Sequence, residues 1–166
     1  MRTLVVIGLS AILSAGAGLS PGSAVAQQKS LKEQLVGTWI LVSCDLSRDG
    51  TTVPPCVNPS GRLSFDASGR FMEMKAARSR PKLTAGLNSP ADEFKAAARG
   101  FLGQFGTWSE NDADKIITYH REGALSPNIE GTDTKDFIAS IAGDELRLVD
   151  ADPNPLGGAE VWRRAK

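Results

Sequence analysis

The chain has a single histidine, His120, and only two cysteines, Cys44 and Cys56, so it is poor in the side chains that most often serve nucleophilic and metal chemistry. Two Cys and one distant His are too few for a metal site, and none is expected. No Gly-x-Ser-x-Gly elbow, Walker loop or dinucleotide fingerprint occurs, and no cofactor is expected. An excess of either charge is also missing. With 19 Lys and Arg against 19 Asp and Glu, there is no field to steer nucleic acid or an anionic membrane surface. The longest apolar run, Leu4 to Leu13, is too short and too broken by Gly8 and Ser10 to span a bilayer comfortably.

That run follows Arg2 and dissolves into small residues ending in Ala24-Val25-Ala26 before Gln27. A positive start, a short apolar centre and an A-x-A site form the pattern of a cleaved secretory signal. Residues 1–26 are therefore expected to be removed after Ala26, leaving 27–166 as one domain with a single core. No Cys sits at the cleavage point to carry a lipid, so a soluble periplasmic or secreted protein is expected, without stable membrane insertion. In an oxidising compartment, Cys44 and Cys56, which flank a polar, Pro-rich loop, are expected to form a disulfide. Closing so short a loop would contribute about 3 kcal/mol. Two unpaired thiols are the alternative.

What is present is a series of short strand-like runs. Alternation along Val36 to Ser43 puts Gly37, Trp39 and Leu41 on one face, and Trp39 reads as an anchor of the first strand. Residues 47–60 cannot lie mid-sheet, because Pro54 and Pro55 donate no ladder bond. Gly61 to Phe65 and Arg70 to Lys75 flank Asp66-Ala67-Ser68-Gly69 as a hairpin, with Met72 and Met74 favoured over Phe71 as the inward pair. Residues 76–88 read as a basic loop. Ser89 as N-cap, Pro90 at the first position and Asp92 and Glu93 in the first turn predict a helix over 89–102. Its face of Phe94, Ala97, Ala98 and Phe101 is expected to pack across the end of the sheet or barrel. Strands starting near 104, 115, 132, 145 and 159 complete a count of about eight in hairpin order. This pattern predicts an all-β fold, an up-and-down antiparallel barrel with one inserted helix. Gly37-Thr38-Trp39 recurs as Gly106-Thr107-Trp108, read as two strands that each need close backbone approach beside a large ring. Asp150-x-Asp152-x-Asn154 begins like a calcium loop, but Pro155 and Val161 replace the required Gly and Glu, and the segment reads as a turn.

The Gly-x-Trp step, the Gly61-x-Leu63 to Gly69-Arg70 hairpin, Phe105-Gly106-Thr107-Trp108, the run from His120 to Pro127-Asn128 and Gly131-Thr132-Asp133, and the closing Trp162-Arg163-Arg164 occur together and in order. In that arrangement the chain resembles the bacterial and fungal lipocalin-like domain family, a calycin-type barrel family. The resemblance implies an eight-stranded barrel and structural roles for Gly37, Trp39, Gly106, Trp108, Trp162, Arg163 and Arg164. It further implies that Arg163 or Arg164 covers Trp39 through a cation–π contact worth roughly 0.5–2 kcal/mol. Cys44 and Cys56 depart from the family pattern, so a bridge there would be a local addition.

Small eight-stranded barrels are filled by side chains or hold one small ligand. With three Trp, six Phe and one Tyr in the chain, some unfilled interior is expected. Thr118, His120 and Glu122 alternate along one strand with Ile116, and Asn128 follows in the next loop. If that face lines the interior, these four place convergent polar groups in an apolar cavity, which is how a small-molecule site is furnished. The expected role is thus binding of a small apolar or amphipathic molecule. Two further readings stand beside it: a cofactor-free isomerase or cyclase using His120 and Glu122 as an acid/base pair, and an envelope interaction protein whose filled barrel displays loops 47–60 and 76–88.

Overall fold

The computed structural model describes residues 29–152 and 156–166, and the expected signal segment with its cleavage after Ala26 lies outside them. The described chain starts with a short helix that the strand pattern did not announce. Ser30 accepts from the backbone N–H of Glu33, and the Glu33 carboxylate accepts in return from the Ser30 N–H. This reciprocal capping box opens α1 (Leu31–Leu35), whose Leu31 and Leu35 are buried.

Ten strands follow. They are β1 (Gly37–Cys44), β2 (Ser47–Arg48), β3 (Thr51–Thr52), β4 (Pro59–Phe65), β5 (Arg70–Ala77), β6 (Phe101–Asn111), β7 (Ile116–Ala124), β8 (Asp133–Ala142), β9 (Glu145–Asp150) and β10 (Glu160–Arg164). The long ones close into a barrel in the order β1-β10-β9-β8-β7-β6-β5-β4, every neighbour antiparallel, while β2 and β3 form a separate small ribbon. The fold is the expected all-β, eight-stranded up-and-down barrel. Closure leaves the barrel itself without a free sheet edge, which removes the usual liability of an antiparallel sheet.

The two ends of the barrel differ. At one end α1 plugs the opening, and its buried leucines join Trp39, Phe65 and Trp108 in the core. The Trp39 indole N–H donates to the Leu35 carbonyl at 2.8 Å, and the Arg164 guanidinium stacks 4.1 Å from the Trp39 ring centre. Arg164 also donates to the carbonyls of Gln34 and Val36, which tie α1 to the barrel. Of the two candidate arginines it is Arg164 that covers Trp39, whereas Arg163 is exposed. At the other end the longer connections gather. One holds α2 (Ala91–Arg99), shorter than the predicted 89–102 because Phe101 already belongs to β6. Ser89 does not cap it; its hydroxyl accepts from the Ala85 N–H instead. No residue of α2 is buried, so the helix rides beside the opening rather than sealing it.

The expected Cys44–Cys56 disulfide is present, with a Cα separation of 5.1 Å. It fastens the β1–β4 connection, and Ser47 and Gly157 exchange two backbone hydrogen bonds that pin the β2–β3 ribbon over the open end.

Two strands face the other way from the expected one. On β5 the buried row is Phe71, Glu73, Lys75 and Ala77, while Met72 and Met74 are exposed. On β7 Ile117 and Tyr119 are buried, so Thr118, His120 and Glu122 stand on the outer wall. Side chains alternate strictly along a strand, and one wrong parity inverts the whole row. The physical reason for both inversions is shared: the upper half of this interior is polar, so apolar content does not mark the inward row there.

A candidate binding cavity with a charged lining

A cavity of about 250 Å³ opens at the end opposite α1. An apolar filling of a barrel this size is the simplest way to gain stability, because the interior of eight strands can be closed by side chains alone. Here the lower half follows that rule and the upper half breaks it. Glu73, Lys75 and Glu160 are 7 %, 6 % and 5 % exposed. They sit on β5 and β10, positioned inward by the same alternation that buries Phe71 and Trp162.

Their hydrogen bonds form a connected network. The Lys75 ammonium lies between the two carboxylates, 3.0 Å from Glu73 and in direct contact with Glu160. Gln104 donates to Glu73 at 2.6 Å, Arg121 donates to Gln104 at 2.8 Å, and the Trp162 indole donates to Glu160 at 3.2 Å. Burial opposes the charge on Lys75, but the two flanking carboxylates outweigh it and hold the ammonium above the ordinary lysine range. For Glu160 burial dominates and pushes the carboxyl up, with Lys75 relieving part of that and Glu73 adding to it. A buried ion network of this kind is weak as a source of stability, because desolvation consumes most of the attraction. Perturbed titrating groups gathered in a cavity are a signature of a functional site.

Asp136 on β8 and Tyr119 on β7 complete the wall. Asp136 is pushed well above the usual carboxylate range by burial and then by the charges of Glu160 and Glu73, with partial relief from Lys75. Tyr119 is 3 % exposed, and its hydroxyl has no hydrogen-bond partner among the described residues. Burial, and after it the charge of Asp136, raise its ionisation well above the ordinary tyrosine range, so the phenol stays neutral. Around the rim Leu102, Ile129 and Leu156 supply apolar surface. Asp150 and Asp152 also reach this region, and their carboxylates accept from the N–H groups of Leu156 and Lys135. Asp150 also accepts from the Asp152 N–H, so these bonds turn the chain onto itself.

The four residues expected to line the interior are not in this cavity. His120 is exposed and pairs through Nδ1 with Asp133 at 2.7 Å, in register across β7 and β8. Glu122 is exposed and forms a salt bridge with Arg70 at 2.7 Å. Thr118 is half-buried on the same outer face, and Asn128 is exposed in a short 3-10 turn, Pro127–Ile129. The structure therefore does not bring His120 and Glu122 to an enclosed site, and the acid/base pair suggested for an isomerase or cyclase lacks the dry surroundings that would tune it. Sequence reasoning passed over Tyr119, Glu73, Lys75 and Glu160, although a signal existed. Glu73-x-Lys75 and Tyr119-x-Arg121 each place polar groups in the row that also carries Phe71 or Ile117. Among the described residues, the group with the spacing to hold a metal is Cys44, Cys56 and Glu160. Its two sulfurs are spent in the disulfide and its carboxylate is bound to Lys75, so it is not a donor set.

A comparison with curated proteins finds no match. A comparison with protein families matches the lipocalin-like domain over residues 36–164, a span that runs from the end of α1 to the end of β10 and includes every strand of the closed barrel. With a barrel plugged at one end, an arginine stacked on the Gly-x-Trp tryptophan and a cavity at the other, the chain belongs to the lipocalin-like domain family.

Proposed function

We propose that this is a periplasmic or secreted binding protein that holds one small amphipathic molecule in the upper half of the barrel. The observation that carries this reading is the cavity itself, about 250 Å³ and open at one end, with a polar interior and an apolar rim. Ligand sites in barrel mouths combine apolar walls with a few placed polar groups. At about 250 Å³ the cavity falls just below the roughly 300–1,000 Å³ of pockets for drug-sized ligands, which favours a compact ligand over a long acyl chain. Polar groups held inside a barrel at a cost in stability support a use for them. The disulfide is compatible with an oxidising compartment.

The test is a thermal-shift and native mass-spectrometry screen of the purified protein against compact amphipathic molecules bearing cationic, neutral or anionic heads. A saturable rise in Tm with a one-to-one adduct is expected. Free ligand at 100 times Kd stabilises by about 2.7 kcal/mol. A Leu102→Trp substitution, which fills the rim, should abolish the shift. Failure of all three head classes to shift Tm saturably would overturn the reading.

A further inference from the structure

Resting on the binding role above, the lining narrows the chemistry of the ligand. Lys75 is already shared by Glu73 and Glu160, and Arg121 is engaged by Gln104 and Thr132. Asp136 adds a third carboxylate, set beside the Tyr119 hydroxyl and in no salt bridge with another described residue. The deficit is therefore one of cationic N–H donors, in a place where an uncompensated charge is costly. The Tyr119 hydroxyl gives a second, independent sign. It is sealed from solvent, unpartnered and set against the same wall, and an orphaned buried polar atom calls for a partner that the chain does not provide. A hydroxyl both donates and accepts, so it can turn its proton to Asp136 and offer a lone pair to an incoming donor. A primary ammonium carries three N–H donors and no acceptor, which matches what these groups lack.

We propose that the cavity takes a small organic cation, a primary amine with a short apolar tail, its ammonium seated among Asp136, Tyr119 and Glu160 and its tail against Leu102, Ile129 and Leu156. An ammonium beside Asp136 favours its carboxylate form, against the effect of burial and of Glu160 and Glu73. Asp136 is faced by Glu73 and Lys75 from β5, by Tyr119 from β7, by Asp150 in register on β9 and by Glu160 from β10. The cavity lining as a whole carries five acidic side chains, Glu73, Asp136, Asp150, Asp152 and Glu160, against three basic ones, Arg48, Lys75 and Arg121, so an added cation gains attraction from the remainder.

The test is isothermal titration of the purified protein with three matched probes, 2-phenylethylamine, 2-phenylethanol and phenylacetate, at about pH 7.5, where the amine is protonated as a lysine would be. The amine is expected to bind at least about tenfold more tightly than the alcohol, the margin of one charged hydrogen bond, and phenylacetate more weakly than either. Asp136→Asn should lower amine affinity by about tenfold or more and that of the alcohol by a smaller factor, and Tyr119→Phe should weaken the amine by about threefold to tenfold. Tm checks that each variant is folded, and either variant alone suffices. Equal or tighter binding of the alcohol or phenylacetate would overturn the cation assignment while leaving the binding role intact. Silence from all three probes, or unchanged amine affinity in a folded Asp136→Asn or Tyr119→Phe protein, would overturn it as well. The binding role falls only if the wider screen also fails.

Discussion

Lys75 is the residue on which the interior depends, because it neutralises two carboxylates that the fold has taken out of water. Lys75→Met keeps the length and volume of the side chain but leaves Glu73 and Glu160 facing one another without a cation. Breaking a buried ion network from one side costs roughly 3–5 kcal/mol, so urea titration should show that loss, and acid should restore part of it by protonating the carboxylates. Asp136 behaves in the opposite sense. Its folded-state pKa lies above that of an unfolded aspartate, because of burial and the charges of Glu160 and Glu73. The folded state therefore holds its proton more tightly. The associated stabilisation is complete below the ordinary aspartate range and is lost as pH rises through the elevated folded value. Asp136→Asn should raise Tm at neutral and alkaline pH and change it little near pH 4, the ordinary aspartate value. A Tm profile of the two proteins across pH measures this directly.

At the scale of strands, the repeated Gly-Thr-Trp resolves into two different needs. Gly37 has φ of +134°, a conformation that side-chain-bearing residues rarely adopt, and it makes room for the Arg164 guanidinium. Gly106 sits at the β6–β7 register shift, where an added Cβ would fall 2.0 Å from the His120 carbonyl oxygen. Gly106→Ala should cost at least about 1–3 kcal/mol, since the backbone must move to admit it, and denaturant unfolding will show the loss. The number of barrel strands and their hairpin order were legible in the sequence because turn residues carry them locally; the disulfide followed from two cysteines in an expected oxidising compartment, and the arginine–tryptophan stack, with its choice between Arg163 and Arg164 open, came only from the family resemblance. The inward faces of β5 and β7 were not. Parity is read from apolar content, and on these strands the buried row includes Glu73, Lys75 and Tyr119 while Met72 is 52 % exposed. The same inversion moved the candidate site from Tyr119 to its neighbour His120. α1 was missed because five residues are too few for a helical period, although Ser30-x-x-Glu33 is a readable capping box.

For the molecule as a whole, one end is a plug and the other is a mouth, and the disulfide belongs to the mouth. It holds the connection that carries Leu46 and Arg48 to the cavity rim. Replacing both Cys44 and Cys56 by Ala should lower stability by roughly 2–4 kcal/mol, and protease cleavage should then concentrate between residues 45 and 58 while the plugged end stays protected. The three tryptophans divide along the same axis. Trp39 and Trp108 sit in the core at the plugged end, whereas Trp162 is fully buried with its indole N–H on the Glu160 carboxylate. An indole's emission responds to the charge beside it, so the protein contains its own optical reporter. With Trp39 and Trp108 replaced by Phe, the colour and lifetime of Trp162 fluorescence would register each change in the charge of the cavity, with no dye and no label attached.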